Sequence, residues 1–84
     1  MKIVWDEPKR ITNLENRGLD FADLTVEFFE IATVVPAKQD RFMAIGEFNG
    51  EIILAVVFRP LGSEAISVIS MRRASRKERR AHGY

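Results

Sequence analysis

Six cations fall between Arg72 and Arg80, at Arg72, Arg73, Arg76, Lys77, Arg79 and Arg80, and Glu78 is the only acid among them. The chain has 13 Lys+Arg and 12 Asp+Glu, so removing this segment leaves 7 basic against 11 acidic residues. A body near −4 therefore carries a C-terminal end near +5, a polarity that the net charge of +1 conceals. Such an end suits a polyanion or an acidic protein surface. In a helix begun near Arg72, the side chains of Arg72, Arg76, Arg79 and Arg80 share one side and form a ridge at phosphate-binding spacing. Arg73 and Lys77 add charge beside it. Arg41 and Arg59 stand at strand ends, and Arg59 and Arg72, on one sheet face, can hold a phosphate jointly. For proton transfer the candidates are Glu78 and His82, four residues apart and able to pair. Glu78 has a competing use as a helix cap. Tyr84 can stack on a base. A solvated, solubilising tail would account for the same composition.

Composition removes several alternatives. Eighty-four residues form one domain, 1–84, with 46% hydrophobic and 30% charged residues, a globular balance. Without cysteine there is neither a disulfide nor a thiolate nucleophile, which fits a reducing cytoplasm. His82 is the sole histidine, so a zinc site would need carboxylates for nearly every ligand, and neither metal nor cofactor is expected. The segment from Met1 to Asp6 has no apolar signal core, and charges interrupt every apolar run well short of a membrane span.

The elements that must position these residues follow from capping and periodicity. Lys2 to Trp5 reads as a strand, with Trp5 in the core. Asp6 caps a helix, with Pro8 in its first turn, where a missing N–H costs nothing. Ile11 and Leu14 give it a narrow apolar stripe, and Gly18 ends it through the left-handed conformation. Asp20 caps a second helix whose Phe21, Leu24 and Phe28 recur on one face. From Ile31 the period changes: Ala32 to Val35 is β-rich, and Arg41 to Phe48 and Glu51 to Arg59 flank an Asn49-Gly50 hairpin turn. Ile52 to Phe58 is apolar on both faces and predicts a central strand. Pro60 to Ser63 makes a turn, and Glu64 to Met71 returns as a strand. Ser75-Arg76-Lys77-Glu78 fits a capping box, predicting a short helix toward Tyr84 that is either mobile or held by charge. The result is an α+β fold: a mostly antiparallel sheet packed against two N-terminal helices, with a basic C-terminal helix.

A two-residue turn sets Phe48 opposite Glu51 and Phe42 opposite Val57. Placing Arg59 opposite Glu64 then sets Ile53 against Ser70 and Glu51 against Arg72. One face, with Arg41, Met43, Ile45, Leu54, Val56, Phe58, Ile69 and Met71, is bulky and should lie under the helices. The other carries Phe42, Ala44, Ala55, Ile66, Val68 and Ser70, ends in Arg59 and Arg72, and is the more open. A slip of one residue would exchange them.

Several stretches in the expected order resemble the BrnT family of toxins. They are Trp5-Asp6-Glu7-Pro8-Lys9 with Asn13-Leu14, Gly18 and Phe21; Asp40-Arg41-Phe42 with Ile45-Gly46; and Ile69-Ser70-Met71-Arg72-Arg73-Ala74-Ser75-Arg76-Lys77-Glu78-Arg79. The resemblance covers nearly the whole chain. It implies a bacterial type II toxin of RelE-like fold that cleaves RNA and inhibits translation. Its partner would be a BrnA-like antitoxin with a ribbon-helix-helix part, and operator DNA would be bound only through that antitoxin. One departure stands out: relatives often carry Lys-His-Gly where this chain has Asn16-Arg17-Gly18, and arginine cannot serve as an ordinary general base.

The chemistry so implied needs no metal: a ribose 2′-OH attacks the adjacent phosphate and leaves a 2′,3′-cyclic end. It requires cations around a developing phosphorane and groups to move protons. Arg72 is the expected stabiliser, with Arg59, Arg76 and Arg41 in support, and Glu78, His82 or Tyr84 handling protons. Lys9 and Arg17, on neighbouring turns of the first helix, are expected to bind RNA backbone, as are Arg73, Lys77, Arg79 and Arg80. The rival reading is a binding module that uses the same basic ridge without catalysis.

Overall fold

Pro8 and Gly18 bound the first helix as their backbone chemistry requires. In the computed structural model, which describes residues 1–84, strand β1 (Lys2–Trp5) leads into helix α1 (Glu7–Arg17). Gly18 closes α1 at φ 69°, its N–H bonding Leu14 O at 2.8 Å. A 3₁₀ turn (Phe21–Asp23) and helix α2 (Val26–Ile31) follow, then strands β2 (Thr33–Pro36), β3 (Phe42–Phe48), β4 (Ile52–Leu61) and β5 (Ala65–Arg73), and helix α3 (Arg76–Ala81). The five strands form one sheet in the order β1-β5-β4-β3-β2, antiparallel except for β1 beside β5. The α+β class with a mostly antiparallel sheet is therefore as expected. No helix is long and apolar enough to cross a membrane.

The second helix departs from its sequence pattern. Asp20 accepts from Ala22 N and caps only the 3₁₀ turn; Leu24 is extended, and Thr25 accepts from Phe28 N to cap α2 afresh. Two caps five residues apart break one amphipathic pattern in two while keeping Phe21, Leu24 and Phe28 buried. These three pack on Ala44, Leu54, Val56, Phe58, Ile66, Val68 and Met71. Full burial of a Phe or Leu side chain stabilises by roughly 1.5–3 kcal/mol, so this strip holds the helical layer to the sheet. Trp5 is half-buried against the same cluster.

The faces also differ from expectation. Phe48 pairs with Ile52, not Glu51, so the hairpin loop has three residues, with Asn49 at φ 54° and Gly50 at φ 68°. That slip of one residue moves Phe42, Ala44 and Gly46 under the helices beside Leu54, Val56 and Phe58, and moves Met43 and Ile45 to the other face. Gly46 allows a close approach there: a Cβ would lie 3.1 Å from Ala32 Cβ and 3.3 Å from Phe28, so these neighbours would have to give by a few tenths of an ångström. Strand β4 runs on through Pro60 to Leu61, which pairs with Ala65, and Arg59 faces Ser67 instead of Glu64. Val57 pairs with Ser70 and Phe58 with Val68, so Ile69 is an extra residue in β5. The bulge turns Ile66 and Val68 into the helix-covered core and leaves Arg72 opposite Ala55.

Helix α1 buries no residue, and the expected stripe of Ile11 and Leu14 is exposed. Polar contacts hold it instead. Strand β1 pairs only as far as Trp5 with Val68, leaving the rest of the β5 edge open. There Asn13 Oδ1 accepts from Met71 N at 3.1 Å while Asn13 Nδ2 donates to Leu19 O at 2.9 Å. Arg10 donates to both carboxylate oxygens of Asp20 at 3.1–3.2 Å and also to Glu7.

Candidate functional site

Helix α1 and the open edge of β5 enclose a groove of about 460 Å³. Lys9, Thr12, Asn13, Asn16 and Arg17 line one wall, one polar stripe at helical spacing. Ile69, Ser70, Met71 and Arg72 form the other. Three of the cations expected from the sequence, Lys9, Arg17 and Arg72, therefore meet. The groove wall contains no carboxylate and no histidine.

Arg72 is clamped from behind. Its Nη1 donates to Glu78 Oε1 at 2.7 Å and its Nη2 to Glu78 Oε2 at 2.8 Å, the bidentate fork that fixes a guanidinium plane. A second Nη1 contact reaches Arg73 O at 3.3 Å, and Nη2 lies 3.9 Å from Met43 Sδ. The Nε–H takes part in none of these bonds and remains available. Glu78 is itself placed by the expected capping box: its Oε1 accepts from Ser75 N at 2.8 Å, and its own N–H donates to Ser75 Oγ at 3.1 Å. The Arg72 guanidinium holds the Glu78 carboxyl well below its usual range, at about 2, and Glu78 in turn raises the pKa of Arg72. The C-terminal helix is thus held by charge, one of the two readings of its sequence. It begins at Arg76, so Arg72 sits in β5, and the ridge from Arg72 to Arg80 is not one helix face.

The remaining expected site residues fall elsewhere. Arg76, Arg79, Arg80 and Tyr84 gather with Ile53 around a second cleft on α3, and Lys77 stands beside Arg76 and Arg80 on its outer side. His82 is half-buried at the end of α3 and lines neither cleft. Arg73 is exposed, opposite Leu54. Arg59 is exposed four residues along β4 from the residue that faces Arg72, on the order of 13 Å away. Extending the β3–β4 register by one residue sets Arg41 beside Arg59, and the Arg41 Nε is buried without a hydrogen-bond partner. Neither arginine lines the groove. Thr12, Asn13, Asn16 and Ser70 are groove residues that the sequence reading passed over, although the spacing 9, 12, 13, 16, 17 marks one helix face.

A groove of cations and amides on a small α+β sheet suits a phosphodiester, and the known proteins that this chain matches are of that class. The family described as the ribonuclease toxin, BrnT, of type II toxin–antitoxin systems matches residues 5–78. The chain belongs to that family, so it is a ribonuclease toxin with an antitoxin as its partner. A 1.1 Å crystal structure of the Brucella abortus ribonuclease toxin, BrnT, is 70% identical, with a TM-score of 0.85 over 90% of this chain and 99% of that one. No curated protein sequence matches at a significant level.

Proposed function

We propose that residues 1–84 act as one RelE-like toxin domain that cleaves RNA without a metal. The 2′-OH oxygen bonds to the adjacent phosphorus, the bond to the 5′-oxygen breaks, and the products end in a 2′,3′-cyclic phosphate and a 5′-hydroxyl. The 2′-OH loses a proton and the leaving 5′-oxygen gains one. Arg72 is the residue that stabilises the phosphorane. The observation that carries this assignment is the clamp: Glu78 occupies both terminal nitrogens of Arg72, while Lys9 and Arg17 face the same groove from α1. A guanidinium fixed before the reaction stabilises developing charge without reorganising during it.

Glu78 remains ionised at neutral pH and has both oxygens engaged, which suits orienting Arg72 better than accepting a proton. His82 and Tyr84 stand outside the groove wall, so water takes the 2′-OH proton and catalysis rests on charge. Arg76 extends the cationic path onto α3, and Arg73, Lys77, Arg79 and Arg80 attract the RNA backbone, with Arg41 and Arg59 at a distance. In a bacterial cytoplasm the cleaved messages stop translation. A BrnA-like antitoxin silences the toxin and carries the pair to operator DNA. Mapping new 5′-hydroxyl ends in RNA from cells expressing this chain tests the reading. Such ends should appear with the natural chain and vanish with Arg72→Ala. A non-catalytic binding module would leave none.

A further inference from the structure

We infer that the cleft formed by Ile53, Arg76, Arg79, Arg80 and Tyr84 is a second nucleotide subsite, holding one nucleotide of the RNA outside the scissile bond. It rests on the reading of the groove as the cleavage site. Its phosphate would lie on the arginines and its base against the Tyr84 ring.

The cleft measures about 480 Å³ and shares no residue with the α1–β5 groove. Arg10 and Arg72 are the only basic side chains in ion pairs, so Arg76, Arg79 and Arg80 carry uncompensated charge. Together with Lys77 they put four cations on a helix of six residues, where neighbours at three- and four-residue spacing repel. The helix bears this load because three things hold it: the capping box, the Arg72–Glu78 clamp and the buried Ala74 before it. A bound phosphate relieves the repulsion.

The rest of the cleft is apolar and aromatic. Ile53 is half-buried. Gly83, at φ 82°, turns the chain back so that Tyr84 N bonds Arg79 O at 2.7 Å, and the Tyr84 side chain lines the cleft while remaining exposed. Arginines around an aromatic ring are what a single-stranded nucleic acid uses, phosphate to guanidinium and base to ring. An acidic peptide would use the arginines and leave the ring without a role. Position supports the same conclusion. Arg72 and Arg76 are four residues apart, so their backbones are at most about 14 Å apart, and a strand seated on Arg72 reaches Arg76 within a few nucleotides.

The test is equilibrium binding of fully 2′-O-methylated oligouridylates, which cannot be cleaved, to the intact chain across a salt series. A dinucleotide is too short to occupy both clefts at once; an octanucleotide is long enough to span them. Arg79→Gln with Arg80→Gln should weaken the octanucleotide about tenfold, lower its salt slope by about 1.4, and weaken the dinucleotide much less. Tyr84→Ala should weaken the octanucleotide about tenfold and Tyr84→Phe should not, since stacking needs the ring and not the hydroxyl. Thermal unfolding confirms that each variant is folded. Octanucleotide affinity and salt slope unchanged in the arginine variant would overturn the subsite. So would displacement of the octanucleotide by polyglutamate at equal charge with no effect of Tyr84→Ala, which would mark a surface for an acidic protein. Loss of the Arg72 requirement in cleavage would instead overturn the groove assignment, and the two failures are separately visible.

Discussion

Arg72 and Glu78 work as a unit, and each can be tested through the other. The Glu78 carboxyl sits at about 2 in the folded chain against an ordinary 4.5. A lowered carboxyl pKa means that its contribution to stability is full above the ordinary value and is lost as pH falls through the folded one. Glu78→Gln should therefore destabilise the protein by about 1–3 kcal/mol above pH 5, and the gap in Tm between it and the natural chain should close between pH 4.5 and 2. A gap that stays constant across that window would contradict the clamp. Cleavage should also fall in Glu78→Gln, because Arg72 loses its fixed plane, although its charge remains. Arg17 gives a complementary experiment. With no histidine or carboxylate in the groove wall, the rate should keep rising with pH above neutrality, without a bell. Arg17→His puts an imidazole into that wall and should convert the profile to one that levels near the histidine pKa. An unchanged profile would show that position 17 does not face the reacting atoms.

Elements meet at this site through one side chain. Asn13 joins α1 to the open β5 edge by accepting from Met71 N, and its amide is fixed by a second bond to Leu19 O in the segment after α1; this holds Lys9 and Arg17 opposite Arg72. Asn13→Ala leaves the buried Met71 N–H unpaired and should cost about 1–3 kcal/mol. Asn13→Asp keeps the acceptor for that N–H but sets a carboxylate oxygen against Leu19 O, so its loss should shrink at low pH, where the protonated carboxyl donates there; a loss by thermal unfolding that does not change with pH relative to Asn13→Ala would contradict this account. The features legible in the sequence were the local ones. Gly18 ends α1, and Ser75 with Glu78 makes the capping box, because each needs only residues within a few positions. Register was not legible. Asn49-Gly50 serves a two- or a three-residue loop equally well, since both need positive φ, and the bulge at Ile69 has no marker residue. The Arg72–Glu78 pair was hidden because it spans a strand end and a helix start, where helical spacing does not apply. The α1 wall was hidden for another reason: Ile11 and Leu14 read as a buried stripe, whereas the face of α1 that lines the groove is its polar one.

On the scale of the whole molecule, a body near −4 carries an end near +5, and the fold separates the end's charge into two uses. Arg72 is drawn into the groove; Arg76, Arg79 and Arg80 remain uncompensated on α3. RNA affinity should accordingly fall with salt, with a slope of about −0.7 for a dinucleotide, which carries one phosphate, and several times steeper for an octanucleotide that also engages the three cations on α3. The same acidic body disfavours stray RNA elsewhere on the surface. Family membership makes cleavage the activity, and what has to be established is the residue on which it depends. The most direct measurement is the mapping of new 5′-hydroxyl ends in RNA from cells pulsed with the natural chain and with Arg72→Ala, the variant's fold verified by its unfolding transition. The account predicts ends that appear with the natural chain and disappear with the variant. Undiminished ends from folded Arg72→Ala protein would contradict it.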